Sequence, residues 1–234
     1  TSTGETAAVL VTALARGAAT DALTLTIAAG TAAATDLTTL DGFTTVAVGG
    51  AAVTDISGTE AQVNAVVSAG ATITTAANYT STLSDADIDE DLLDDILADT
   101  TGVVTATSTG ETAAALVAAL VRGDAADALT LTIAAGAAAA ADLTSLDGFT
   151  TVAVGAGAVT DISGTEAQVS AVVDAGATIT TAANYTSTLS DADIDENELD
   201  DILADTTGVV TATSTGETAA VLVTALANGD AADA

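Results

Sequence analysis

Two hydrophobic patterns alternate along this chain. In Leu23–Ile27, Ala71–Thr74 and Val103–Thr107 apolar residues alternate with threonine, which predicts strands with an apolar side and a threonine side. Between such stretches apolar residues fall at helical spacing, as in Ala7, Leu10 and Leu14, or Val63, Val66 and Val67. Ser-x-x-Glu patterns at Ser2/Glu5, Ser57/Glu60, Ser108/Glu111, Ser163/Glu166 and Ser214/Glu217 predict helix starts, because each side chain satisfies the other residue's free backbone N–H. Ser84-Asp85-Ala86-Asp87 is a shorter-armed relative, and a further helix is predicted from Ala33 to Asp41. Gly17, Gly70, Gly123 and Gly176 predict left-handed helix ends.

The patterns recur. Thr1-Ser2-Thr3-Gly4-Glu5 returns at Thr107 and again at Thr213, a period of 106 residues, and 92 of 106 positions agree between the first two copies. The organisation expected is a first copy over 1–106, a second over 107–212 and a partial third over 213–234, all in one continuous solenoid. Each copy reads as two diverged halves, since Leu40-Asp41-Gly42-Phe43-Thr44-Thr45-Val46 echoes Leu97-Ala98-Asp99-Thr100-Thr101-Gly102-Val103. Four strand–helix coils of roughly 26 residues result. Leu92 becomes Glu198 in the second copy and is expected toward solvent, whereas Leu93, Ile96 and Leu97 return as Leu199, Ile202 and Leu203 at core spacing. Strand–helix–strand units cross over right-handedly, so the fold class expected is α/β, a solenoid with a parallel sheet on one face and helices on the other. The alternative is a right-handed β-helix. The pattern starts and stops within the repeat without an atypical capping unit, so the array is expected to continue, covalently or end to end.

Composition narrows the function classes. Of 234 residues, two are Arg, none is Lys and 33 are Asp or Glu, for a formal net charge of −31. Binding nucleic acid needs cations to neutralise phosphate, so nucleic acid is excluded as a partner, and anionic membrane surfaces are disfavoured for the same reason. No apolar run approaches the roughly 20 residues of a membrane span. That much like charge needs spreading, salt or bound cations, which points to an extracellular, cell-surface setting. Small side chains dominate the apolar half of the chain and only four residues are aromatic, which suits a thin layered core better than a ligand pocket. No Cys is present for a disulfide framework. His, Cys and Lys are absent, and no nucleophile or phosphate-loop motif occurs, so no catalytic residues and no enzyme are expected.

Candidate chemistry lies in three places. Asp85, Asp87 and Asp89, with Asp191, Asp193 and Asp195 in the second copy, offer hard oxygen ligands at alternate positions for calcium. The run departs from an EF-hand loop, with Glu90 at the glycine position and Ile96 at the twelfth, and it also reads as an acidic first helical turn. Thr24/Thr26, Thr72/Thr74 and Thr105/Thr107 would stack into an outward hydroxyl grid like that of solenoid ice-binding proteins, although threonine also favours strands for packing alone. Asn78-Tyr79-Thr80 and Asn184-Tyr185-Thr186 match the glycosylation acceptor pattern. Arg16 and Arg122 fall in last helical turns, where a cation offsets the dipole, while the third copy carries Asn228 there.

The alternation of Ile56-Ser57-Gly58-Thr59-Glu60-Ala61-Gln62-Val63-Asn64-Ala65 with the two echoing segments above resembles repeats of very large secreted surface proteins of cyanobacteria and other marine bacteria. The resemblance implies an acidic, Cys-poor protein often linked to calcium. The chain lacks the Gly-Gly-x-Gly-x-Asp calcium nonapeptide, so no ligand set carries over. The function expected is an extracellular structural element, a filament, sheath or surface layer, partnered by copies of itself end to end or laterally and by cations, with no cofactor beyond calcium. The alternative is an adhesin spacer or an ice- or glycan-binding array presenting its threonine faces.

Overall fold

The structure, a computed structural model, describes residues 1–218, 226–229 and 233. The chain forms two compact units, Thr1–Ser108 with Leu120–Leu129, and Thr109–Ala119 with Thr130–Ala234. The fold is mixed α/β, with parallel strand pairing throughout and eight helices among the described residues.

The first unit runs β1 (Ser2–Glu5), α1 (Ala7–Ala13), β2 (Leu25–Ile27), β3 (Gly30–Ala33), α2 (Ala34–Asp41), β4 (Val48–Gly50), β5 (Val53–Gly58), α3 (Glu60–Ala69), β6 (Ile73–Thr75), β7 (Thr80–Leu83), α4 (Glu90–Asp99) and the start of β8 (Val104–Glu111). Its strands sort into β1-β2-β4-β6 and β3-β5-β7-β8. Thr26 pairs with Gly49 and Gly49 with Thr74, while Ile56 pairs with Ser81 and Ser81 with Val104. Each of these pairings joins residues 23 to 25 positions apart, and α1 to α4 pack in chain order.

Within the second unit lie α5 (Ala113–Ala119), the greater part of β9 (Ala128–Ile133), β10 (Gly136–Ala139), α6 (Ala140–Asp147), β11 (Val154–Ala156), β12 (Val159–Gly164), α7 (Glu166–Ala175), β13 (Ile179–Thr181), β14 (Thr186–Leu189), α8 (Glu196–Asp205) and β15 (Val210–Thr211). Here β9-β11-β13 and β10-β12-β14-β15 are neighbours.

A single parallel sheet was expected, and each unit has two. At two of the breaks between consecutive strands the turn is a glycine. Gly30 and Gly136 adopt φ of +125° and +133°, a turn open to glycine that breaks each extended stretch into two short strands. The core is aliphatic: Leu37, Leu40, Val48, Ile56, Val63, Leu93 and Ile96 are fully buried in the first unit, with Leu143, Leu146, Val154, Ile162, Val169 and Ile202 in the second. Leu199 and Leu203 are buried as the copy comparison required, Leu92 is half-buried, and Glu198 is exposed.

Helix starts differ from the Ser-x-x-Glu expectation. Ser2–Glu5 is strand, and α1 is capped by Thr6, whose hydroxyl accepts from Val9 N. The capping boxes of α3 and α7 are Thr59/Gln62 and Thr165/Gln168, two residues later than Ser57/Glu60 and Ser163/Glu166. Ser108 and Glu111 lie in β8, and Ala115 N donates to Thr112. Gly4 and Gly110, at φ of +84° and +86°, explain part of the displacement by placing an irregularity where a helix would have begun. A helix after Ser214/Glu217 would fall on residues outside those described. Gly70 and Gly176 end α3 and α7 with φ of +53° and +54° as expected. Gly17 and Gly123 do not; α1 and α5 stop at Ala13 and Ala119, and these glycines close the turns that follow, donating to Leu14 O and Leu120 O.

Candidate functional site: the acidic loops and the contacts between coils

The acidic loop 84–89 precedes α4 rather than starting it. Asp89 is the N-cap, its carboxylate accepting from Asp91 N at 3.1 Å and Leu92 N at 3.3 Å. Asp85 reaches back to α3, accepting from Glu60 N at 2.5 Å, and Asp87 is also engaged. In the second unit Asp195 caps α8, Asp191 accepts from Glu166 N at 2.5 Å, and Asp193 accepts from Thr215 N at 2.7 Å. These carboxylates thus answer backbone N–H groups on separate elements. Among the described residues, no three His, Cys, Asp or Glu side chains are grouped to hold a metal ion.

Sequence reasoning overlooked the carboxylate at the centre of each loop. Glu60, treated as half of a capping box, is buried at the start of α3 and accepts from Asp89 N at 2.9 Å through Oε2. Together with the Asp85 contact this forms a reciprocal clasp between α3 and the loop before α4. Its Oε1 is buried with no hydrogen-bond partner, and Glu166 repeats the arrangement in the second unit. Desolvation raises the Glu60 pKa above the ordinary value, the Asp89 N–H pulls it partly back, and the charges of Asp89, Asp85 and Glu90 raise it further. Glu166 is raised in the same way, by desolvation first. Asp195, by contrast, is lowered by the N–H of Asn197.

Asn78 and Asn184 are exposed in turns, with Tyr79 and Tyr185 buried beside them. Each tyrosine hydroxyl donates to an aspartate, Asp99 at 3.0 Å or Asp205 at 2.9 Å. Burial, followed by the aspartate, pushes both phenols upward.

The threonine pairs do not form one grid. Thr26 and Thr74 share a row, but Gly49 stands between them. Thr72 lies in a 3-10 turn, and Thr105 belongs to the other sheet. Several hydroxyls are already committed: Thr74 donates to Val48 O, and Thr80 to Asp55 at 2.9 Å. Threonine has a different part in the Thr-Thr pairs of the echoing segments. Buried Thr44 donates to Leu23 O and accepts from Leu23 N, both at 2.9 Å, and buried Thr100 donates to Tyr79 O. Thr45 and Thr101 pair through backbone N–H with Asp21 O and Ala77 O. The sequence echo is therefore a clamp onto backbone 21 to 24 residues earlier.

A second long-range contact uses the arginine position. Arg122 donates from its backbone N to Asp94 at 2.8 Å and from Nη1 at 2.5 Å, so it pairs with α4 instead of serving only its own helix end. Asn228 makes the same contact to Asp200, at 2.7 Å from N and 3.0 Å from Nδ2. Ser108 donates to Glu90 and Ser214 to Glu196; Asp127 accepts from Val104 N and Asp233 from Val210 N. Three contacts thus tie Ser108, Arg122 and Asp127 to Glu90, Asp94 and Val104, and the same three tie Ser214, Asn228 and Asp233 to Glu196, Asp200 and Val210. Burial raises the Asp127 pKa, while the Val104 N–H lowers it. Among the described residues, no helix is long and apolar enough to cross a membrane. Comparison with protein-family models, with curated proteins and with solved structures gives no match.

Proposed function

We propose that the chain is a section of an extracellular structural array, a solenoid of strand–strand–helix coils in a filament, sheath or surface layer. It would act by length and regularity, without catalysis. The single observation that carries this reading is the recurrence of the three seating contacts. Ser108, Arg122 and Asp127 fasten one copy to the coil before it, and Ser214, Asn228 and Asp233 fasten the next by the same geometry. Stability in such an array is a sum of unit terms and nearest-neighbour contacts, so adding copies adds length without changing any contact.

The acidic surface fits a saline setting in which sodium, magnesium or calcium screens it. The reading of a threonine-faced ice- or glycan-binding array has weaker support, because Gly49 interrupts the row and backbone carbonyls hold several hydroxyls. Small-angle scattering on chains of two, three and four repeats tests the proposal. The long dimension should grow by about 19 Å per repeat, four strand spacings of about 4.8 Å. A maximum dimension that does not grow in equal steps would end the array reading.

A further inference from the structure

We propose that Asn228 is a site of spontaneous covalent modification, losing its amide to attack by the backbone nitrogen of Gly229, and that the change opens the contact from Asn228 to Asp200. Five asparagines occur in the chain, and the residues that follow them are Ala65, Tyr79, Tyr185, Glu198 and Gly229. Asn228 alone precedes glycine, which has no side chain to block the approach of its nitrogen and whose backbone takes the dihedrals a five-membered ring needs. At the same turn the first two copies carry Arg16 and Arg122 before Gly17 and Gly123, and a guanidinium offers no carbonyl to attack.

The structure leaves both partners of the reaction open. Gly17 N and Gly123 N donate to Leu14 O at 2.7 Å and Leu120 O at 3.4 Å, whereas Gly229 N donates to no acceptor among the described residues. Asn228 and Gly229 are exposed, and Arg122, with a whole copy of the repeat after it, is exposed at the equivalent position. The Asn228 side chain is held through its nitrogen, Nδ2 donating to Asp200 Oδ2 at 3.0 Å and to Asp200 O at 3.5 Å. An exposed side chain exchanges rotamers within nanoseconds, far faster than bonds are made, so this anchoring delays the attack without preventing it.

Gly229 N gives up its proton and attacks Asn228 Cγ, and the intramolecular geometry supplies the high effective concentration that a weak nucleophile needs. The new C–N bond closes a succinimide as the Cγ–Nδ2 bond breaks, and Nδ2 takes up a proton and leaves as ammonia. Water then adds to one of the two imide carbonyls. Opening at Cγ gives aspartate at position 228, and opening at the main-chain carbonyl gives isoaspartate, each returning a proton to Gly229 N. The net exchange is ammonia for water, with no oxidant or reductant. Either product removes the Nδ2 donor and sets a carboxylate against Asp200, in the place where Arg122 makes an ion pair with Asp94. Isoaspartate also adds a methylene to the main chain between Asn228 N, which donates to Asp200, and Gly229. Ser214 and Asp233 keep their contacts to Glu196 and Val210, so the join is loosened and not severed. The reaction is the same whether or not copies form an array.

Peptide mass mapping of the full chain during incubation at neutral pH tests this, with isoaspartyl methyltransferase labelling to tell the two products apart. The mass increase of an amide-to-acid conversion should appear at Asn228 about tenfold or more faster than at Asn64, Asn78, Asn184 or Asn197. Gly229→Ala should slow it by about tenfold. A Cβ at that position meets Leu203 Cδ1 and Leu226 O at 3.6 Å, an ordinary contact, and circular dichroism confirms that the variant is folded. Asn228→Asp, the product made directly, should unfold at a lower denaturant midpoint than the wild type, whereas Asn228→Arg, which restores the residue of the other copies, should not. An Asn228 that keeps its amide as long as the other four asparagines, or a Gly229→Ala chain modified as fast as the wild type, overturns the site. An Asn228→Asp chain as stable as the wild type overturns the opening of the Asp200 contact.

Discussion

Glu60 and Glu166 are the residues whose chemistry runs against their surroundings. Each is buried at a helix start, has one oxygen unpaired and faces other carboxylates, so its charged form is disfavoured in the folded chain. The sign follows from proton linkage. A carboxyl whose folded pKa is raised binds its proton more readily folded than unfolded, so its contribution is most favourable below the ordinary value of 4.5 and is lost as pH rises through the folded pKa. A Glu60→Gln, Glu166→Gln chain should therefore melt higher than the wild type at pH 7, and the difference should vanish below about pH 4.5. Thermal unfolding at the two pH values measures it, and a lower melting temperature at pH 7 would mean that the clasp to Asp89 needs the charge. Gly102 is constrained sterically instead. A Cβ there would lie 2.2 Å from Tyr79 O and 2.6 Å from its carbonyl carbon, backbone atoms that cannot rotate away. Gly102→Ala should cost about 1–3 kcal/mol in denaturant unfolding, and a neutral result would show that the 77–79 turn yields.

At the scale of the element, α3 combines a full cap with a short apolar face. In α3 only Glu60, Val63 and Val66 are buried, and the Thr59/Gln62 box satisfies the orphan donors at its start. Thr59→Ala should destabilise by about 1 kcal/mol, read as a lower denaturant midpoint at unchanged slope. The same cap shows what the sequence could convey. Ser57-Gly58-Thr59-Glu60-Ala61-Gln62 contains two overlapping box patterns, Ser57/Glu60 and Thr59/Gln62. Local spacing cannot choose between them. The choice falls to Asp89, whose N–H captures the Glu60 side chain from 29 residues away. Periodicity did reveal strand at Leu25–Ile27 and Val104–Thr107, the α2 helix and the buried face of α4, since these rest on near neighbours. The two-sheet layout was less legible, because a turn at Gly30 with positive φ looks in sequence like any glycine. The acidic loops were visible as composition, but not their partners. Asp85 and Asp89 were candidates both for calcium and for an acidic helix start, and each accepts a backbone N–H from a partner that spacing alone does not name.

For the molecule as a whole, charge is the quantity left to balance. Two arginines stand against 33 acidic residues, and one of them, Arg122, is paired to Asp94. Repulsion is therefore spread along the chain with little internal relief, and it recurs with each repeat, so it adds up in an array as the seating contacts do. Salt relieves it without any specific site. Raising sodium chloride from about 0.05 M to about 0.5 M should raise the melting temperature, as the Debye length shortens and like charges are screened from one another. The acidic loops decide whether calcium does more. Because Asp85, Asp89, Asp191, Asp193 and Asp195 already accept backbone N–H groups, a bound ion would compete with bonds that hold α4 and α8 in place. Calcium and magnesium at equal ionic strength should therefore raise the melting temperature alike. A rise specific to calcium, reversed by a chelator, would mean that these loops rearrange around the ion and that the metal belongs to the fold.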